Sequence, residues 1–199
     1  MKKINTYINE KLNLSAHKYT CKPKDKDELR DIIKERLEKD KNVNLNDIDV
    51  SGITDMSYLF YELDPHNIDI SEWDVSNVTD MFEMFWGCKN FNSNLSNWDV
   101  SKVTDMNGMF FNCEKFNSDL SEWNVLNVED MGLMFKNCIN FNSDLSNWDV
   151  LNVINIFNMF NGCKKFDCDL SNWDISNVKY KNGMFVGCNL LKNIPNWYK

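Results

Sequence analysis

Apolar residues along this chain return on a long, fixed beat instead of the period of a single helix or strand. Trp73, Trp98, Trp123, Trp148 and Trp173 stand 25 residues apart, and Cys88, Cys113, Cys138, Cys163 and Cys188 keep the same interval without an insertion. Met84, Met109, Met134, Met159 and Met184 follow it too, each trailed by a phenylalanine, from Phe85 to Phe185. A weaker copy opens near Val50. A fixed period of roughly 20 to 50 residues marks a stacked array, in which no repeat can bury its apolar face without a neighbour.

Within one repeat the inward positions read Leu95, Trp98, Val100, Val103, Met106, Phe110, Cys113 and Phe116. Trp98 and Val100 are two apart, the spacing of one face of a strand. Thr104 and Asp105 suit the start of a helical turn, since threonine caps well and aspartate favours the positive end of a helix. Met106, Met109, Phe110 and Cys113 then share one helical face. A short strand, a tight turn and a helical or irregular return make the leucine-rich-repeat pattern. The spacing therefore predicts an α/β repeat solenoid: a leucine-rich-repeat-like stack of about six coils, whose short parallel strands pair at roughly 4.8 Å.

Both ends depart from the beat. Ile4, Tyr7, Ile8 and Leu12 fall at helical spacing. From Tyr19 to Pro23 the chain should be extended, because the residue before a proline is biased that way. Asp25 stands three residues before Glu28 in a weak capping box, and Leu29, Ile32, Ile33, Arg36 and Leu37 trace one helical face towards Asp40. Arg30, Asp31, Lys34, Glu35 and Glu38 take the other side and read as a solvated face. Residues 1–49 thus read as a helical N-terminal cap and residues 50–199 as the array, with a closing coil over 175–199. In that coil Leu191, Ile194 and Trp197 stand in for Phe116, Leu120 and Trp123, and Ile194 and Trp197 arrive one step early. Pro195 removes a donor where the next strand would form, which closes an edge.

Charge narrows the partners. Residues 50–199 hold 10 Lys and Arg against 20 Asp and Glu, whereas residues 1–49 hold 12 against 10. An acidic array cannot neutralise phosphates, which argues against nucleic acid and against anionic membrane surfaces. No apolar run reaches the roughly 20 residues of a membrane helix, so no membrane insertion is expected. The N-terminal MKKINTYINEKLNLSAHKYTC lacks the apolar core of a signal peptide, and no lipidation pattern precedes Cys21. A cytoplasmic or virion-associated protein is the expectation. Five of the seven cysteines fall once per repeat at one position, a packing column and not a pairing pattern.

Nothing in the chain reads as catalytic. The two histidines, His17 and His66, do not stand among carboxylates, and no phosphate-cradling loop or nucleophile motif occurs. No enzyme activity, cofactor or metal is therefore expected. The informative positions flank the inward ones: Asn97, Asp99, Glu122, Asn124, Leu126, Asn147, Asp149, Leu151, Asn172 and Asp174 should point outward as a partner-binding strip. Leu126 and Leu151 replace the serine found at Ser101 and Ser176. They read either as drift or local burial, or as an apolar anchor in a polar strip. On the return side Phe82, Trp86, Phe111 and Phe157 interrupt polar columns, and either pack under the cap or form a secondary interface. Asp74, Asp99, Asp149 and Asp174, with a second column of Asp55, Asp80, Asp105 and Asp130, pose a choice between calcium and capping of their own turns. Capping is the simpler reading.

The unit SEWDVSNVTDMFEMFWGCKNFNSNLSNWDVS, starting at Ser71, resembles the repeat of the BspA-like leucine-rich-repeat surface proteins. Its motif is W-D-[VIT]-S-N-V-T-x-M-x-x-M-F-x-x-[CA]-x-x-F-N, and the resemblance covers about 150 of the 199 residues. That family occurs in bacterial surface proteins and lipoproteins and in bacteriophages. The resemblance implies a binding or adhesive role, no catalytic residues, and the cell surface as an alternative location. The expected function is a non-catalytic protein-protein interaction module that presents a polar, acidic surface to a macromolecular partner, most simply a protein. One alternative is a structural component of a phage particle or cell envelope, which predicts self-association. Another is a carbohydrate-binding adhesin, which needs aromatics such as Trp86 to form a platform.

Overall fold

A computed structural model describes residues 19–198, so the helix expected over residues 4–14, and His17, lie outside the described residues. Successive repeats lie one on the next in strict register. Parallel bridges link Asp55, Asp80, Asp105, Asp130, Asn155 and Tyr180 in turn, one bridge per junction. The repeats are nevertheless built of turns, and the expected α/β solenoid of parallel-strand coils is overturned. Among the described residues the helices are α1 (Lys26–Lys39) and a 3-10 turn (Asn196–Tyr198), and strand pairing is confined to isolated bridges without a sheet.

Turn closure is the physical reason. The Trp98 amide donates back to the Leu95 carbonyl at 3.1 Å and the Val103 amide to Val100 at 2.9 Å. Trp98 to Val100 is therefore a short link between two turns, with no room to extend as a strand. The return segment is not helical either, because its backbone crosses to positive φ every fourth residue, at 63° for Gly108 and 60° for Asn112. The same column holds Tyr58, Glu83, Leu133 and Asn158 at φ of 59°, 49°, 60° and 53°. A left-handed residue fits inside neither a helix nor a strand. At Gly108 space adds to the demand, since a Cβ would lie 3.1 Å from the Trp86 ring.

Amide direction alternates along this segment. The amides of Met106, Gly108, Phe110 and Asn112 cross to the carbonyls of Asp130, Gly132, Met134 and Lys136 at 2.8 to 2.9 Å. Met109, Phe111 and Cys113 turn back three residues instead, to Met106, Gly108 and Phe110. The same four crossings join every pair of repeats from Met56 to Gly162. Each left-handed non-glycine residue costs about 1 to 2 kcal/mol; crossing bonds of about 1 kcal/mol each, together with core burial, offset that strain. Every crossing runs from an amide of the earlier repeat to a carbonyl of the later one. The return segment is thus polar, with its acceptor edge towards the N-terminal end, whereas just before it the amides of Thr79, Thr104, Glu129, Ile154 and Lys179 donate back to the preceding repeat.

All eight inward positions are buried, as their spacing predicts. Phe85, Phe110, Phe135 and Phe160 stack with ring centroids 5.5 to 5.7 Å apart. The recurring tryptophan and cysteine carry donors as well as bulk. Trp123 Nε1 donates to the Leu95 carbonyl at 3.0 Å, and Cys138 Sγ to the Phe110 carbonyl at 2.9 Å, each reaching back into the preceding repeat. A buried carbonyl needs such a partner, which explains both columns better than packing alone. All seven cysteines are free, and burial pushes the Cys88 thiol up to about 12.

The two ends differ. Asp25 caps α1 by accepting from the Glu28 amide at 2.9 Å, and Leu29, Ile33 and Leu37 bury its apolar face. Arg30, expected on the solvated face, instead donates to the carbonyls of Tyr58, Leu59 and Tyr61. Lys26 Nζ reaches Asp55 at 2.6 Å and Ser57 at 2.7 Å. Leu59 and Tyr61 are the first-repeat equivalents of Met84 and Trp86, whose carbonyls accept from the amides of Phe60 and Glu62. The Arg30 guanidinium therefore stands where a preceding repeat would have placed its amides.

At the far end Trp197 continues the indole column despite its slipped spacing, stacking on Trp173 at 6.4 Å and donating to the Leu170 carbonyl at 2.9 Å. Pro195 does not close the amide edge as expected. Lys181, Gly183, Phe185 and Gly187 occupy the crossing positions of the last repeat, and their amides find no acceptor among the described residues.

Candidate interaction surfaces

The aspartate columns are turn caps. Asp99 accepts from the Ser101 amide at 3.0 Å, Asn124 from Leu126 at 3.1 Å, Asp149 from Leu151 at 3.1 Å and Asp174 from Ser176 at 3.0 Å. In the second column Asp80, Asp105 and Asp130 each accept from the amide two residues on, at 2.8 Å. The Ser101 hydroxyl and amide hold the Asp99 carboxyl below the usual range, and the Ser176 amide and hydroxyl do the same for Asp174. Asp105 is the exception. Burial first, and then the carboxylates of Asp130 and Asp80, push it up to about 6. Among the described residues no three His, Cys, Asp or Glu side chains converge as metal ligands.

All ten residues of the expected strip are exposed. Leu126 and Leu151, 39% and 41% exposed, stand one repeat apart, so a local bend does not bury them. Beside them runs an asparagine ladder that the outward-column reading missed. Asn127 donates to the Ser101 carbonyl at 2.6 Å, Asn152 to Leu126 at 2.8 Å and Asn177 to Leu151 at 2.8 Å. With Thr104, Glu129 and Ile154 these asparagines line an open groove of about 810 Å³. The recurring N-V pair, at Asn127, Asn152 and Asn177, was its sequence signal.

On the return side the structure brings three of the four aromatic residues together. Trp86 and Phe111 stack at 3.7 Å and 4°, with Tyr61 on the far face of Trp86 at 6.2 Å and Lys136 Nζ 5.3 Å from the Phe111 centroid. Phe82 meets Tyr58 edge-on at 5.1 Å. Tyr58 and Tyr61 belong to the degenerate first repeat and were not singled out from the sequence. Phe157, 43% exposed, stands apart, with no aromatic ring against it among the described residues. Both faces of Trp86 are covered, so it presents an edge and not a flat platform.

A family profile described as "Mycoplasma protein of unknown function, DUF285" matches residues 31–139 and again 118–198. The chain belongs to the DUF285 family. The two matches overlap, as matches to a repeat do, and DUF285 agrees with a repeat family related to the BspA-like surface proteins. No curated protein and no solved structure matches this DUF285 chain. Among its described residues no helix is long and apolar enough to cross a membrane.

Proposed function

We propose that this DUF285 chain is a non-catalytic protein-binding module whose partner rests on the outward strip and anchors at Leu126 and Leu151. The observation that carries this reading is the pair of adjacent, exposed leucines in columns that are otherwise polar and acidic. Their amides are tied to Asn124 and Asp149 and their carbonyls to Asn152 and Asn177, so the two side chains are held out on a rigid frame. Apolar anchors surrounded by polar contacts carry most of the energy in protein interfaces. The W-D-V-S-N-V-T-D-M motif at Trp73, with its looser copies at the later tryptophans, supports a finer placement near the BspA-like surface proteins, whose role is binding. A sugar-binding role is less well supported, because Trp86 offers no free ring face.

The test is affinity capture from the native lysate with the wild-type chain and with Leu126→Ser/Leu151→Ser. Loss of a specific protein on the double change, with an unchanged melting temperature, is the expected result. Capture that survives the change would move the site off this strip. Recovery of the chain alone would favour a self-assembling structural role.

A further inference from the structure

We infer that the outward strip takes a basic segment of a partner polypeptide, whose lysines and arginines meet the carboxylates of the strip while an apolar residue seats on Leu126 and Leu151. This rests on the reading of the chain as a protein-binding module, and it names the chemistry of the partner at that site. Charge is segregated by face along the array. The five stretches 67–76, 92–101, 117–126, 142–151 and 167–176, which carry the strip, hold eleven Asp and Glu and no Lys, Arg or His. All ten lysines of residues 50–199 lie outside them, and with nine Asp and Glu the rest of the array is close to neutral. Asp99, Asp119, Glu122, Asp144, Asp149 and Asp174 are exposed. Serine amides and hydroxyls hold Asp99, Asp119, Asp144 and Asp174 below the usual carboxylate range, so these four stay ionised.

The molecule itself shows what these columns accept where they are already covered. Asp47 and Asp49 stand one repeat before Glu72 and Asp74, at the N-terminal end of the same columns. Arg36 donates to both Asp47 oxygens at 2.5 and 3.0 Å, and Lys22 meets Asp49 at 2.7 Å from a segment whose backbone pairs beside it. At the other end Lys192 meets Asp167 at 2.5 Å. Between these ends, Asp119, Glu122, Asp144 and Asp149 form no ion pair among the described residues. They belong to the same two repeats as Leu126 and Leu151, so an apolar pair is set among four carboxylates without a counter-charge. That arrangement selects its occupant. An anion is repelled and a simple cation leaves the leucines uncovered, whereas a polypeptide with lysine or arginine beside an apolar residue satisfies both. A second copy does not, since it brings a net charge of -8 and the same cation-free face.

The test uses the full chain and three synthetic peptides of about twelve residues: one repeating Lys-Leu-Lys-Ser, one with its leucines replaced by serine, and one with its lysines replaced by aspartate. Affinity is measured by calorimetry at about 0.1 M salt, where charges within about 10 Å still act. The Lys-Leu peptide should bind, and the other two should bind at least about tenfold more weakly. Asp119→Asn/Asp144→Asn/Asp149→Asn removes three charges and keeps the turn caps, because Asn94 and Asn124 already cap their turns in these columns. That change, and Leu126→Ser/Leu151→Ser, should each weaken the Lys-Leu peptide by about tenfold at an unchanged melting temperature. Asp27→Asn/Asp31→Asn/Glu38→Gln makes the same charge change on the exposed side of α1 and should weaken it by less than about threefold. Failure of the Lys-Leu peptide to bind, equal binding of either control peptide, equal weakening by the α1 change, or a dimer in sedimentation that the leucine change dissolves would each overturn the inference. So would binding seen only in Lys2→Gln/Lys3→Gln/Lys11→Gln, which would give the strip to the chain's own N-terminal segment. Weakening by the leucine change alone would overturn the basic partner and keep the binding module. Weakening by the carboxylate change alone would keep the basic partner and remove the leucine anchor on which the module is read.

Discussion

The two ends of the array meet the same problem with opposite chemistry. On the return segment four crossing bonds per junction run one way, so this face of the stack presents carbonyls at one end and amides at the other. At the N-terminal end α1 lays Arg30 across three carbonyls and Lys26 across Asp55 and Ser57. Guanidinium suits this task, because it offers five donors in a fixed fork and no acceptor. At the C-terminal end the matching device would be a carboxylate, but the last repeat offers lysines. One end is covered by charged donors on a helix, and the other by the rings of Trp197 and Tyr198 against Phe185, with the four crossing amides lacking an acceptor among the described residues.

The largest test of that contrast is packing. Ile33→Ala, under α1, is expected to cost about 2 to 5 kcal/mol, whereas Leu190→Ala at the open end should stay within about 0.5 kcal/mol; urea midpoints measure both. Trp123→Ala gives the inner reference, at about 3 to 5 kcal/mol. Next comes the charge cap. Arg30→Met leaves three carbonyls without their donor and should lower stability by about 2 to 3 kcal/mol, against less than about 1 kcal/mol for Lys181→Met, whose ammonium meets one carbonyl.

A smaller effect belongs to the middle of the stack. The Asp105 carboxyl is raised to about 6, so its ionised form costs stability at neutral pH, and that cost fades as pH falls from about 6 towards the unfolded value of 3.8. Asp105→Asn should therefore stabilise the chain by about 1 kcal/mol at pH 7, discounted for a half-exposed group, and by nothing near pH 4. Asn155 already fills this column and caps its turn in the same way, accepting from the Phe157 amide at 2.9 Å. Melting curves of both proteins across that range would decide it. The smallest effect returns to the ends. Cys88 and Cys188 share one column, yet only Cys188 is partly exposed, so an alkylating reagent should modify it about tenfold faster in the native protein.

Much of this architecture was legible in the residues. The period, the eight buried positions, α1 and its Asp25 cap all follow from spacing and capping chemistry. The turns did not, because Trp98 and Val100 satisfy a two-residue spacing equally well in a strand and in a link between turns. One signal was available and carries physical meaning: Gly87, Asn112, Asn137, Gly162 and Gly187 share a column, and alternation of glycine with asparagine marks left-handed backbone. Tyr58 and Leu133, at the other left-handed position, bear no such mark. Arg30 could not be placed either, since its partners are main-chain carbonyls that no side chain announces. For the surfaces, the outward strip was readable from alternation, while Phe157 was grouped with aromatic residues that lie far from it along the stack.

The indole column has a consequence in optics. Trp73 and Trp98 lie 6.4 Å and 5° apart, Trp148 and Trp173 lie 6.5 Å and 2° apart, and Trp197 continues the series. Chromophores that near and that parallel share their excitation. The near-ultraviolet circular dichroism of this protein should accordingly belong to the column as a whole. Its amplitude would report a parting between any two repeats, before a single ring reached water.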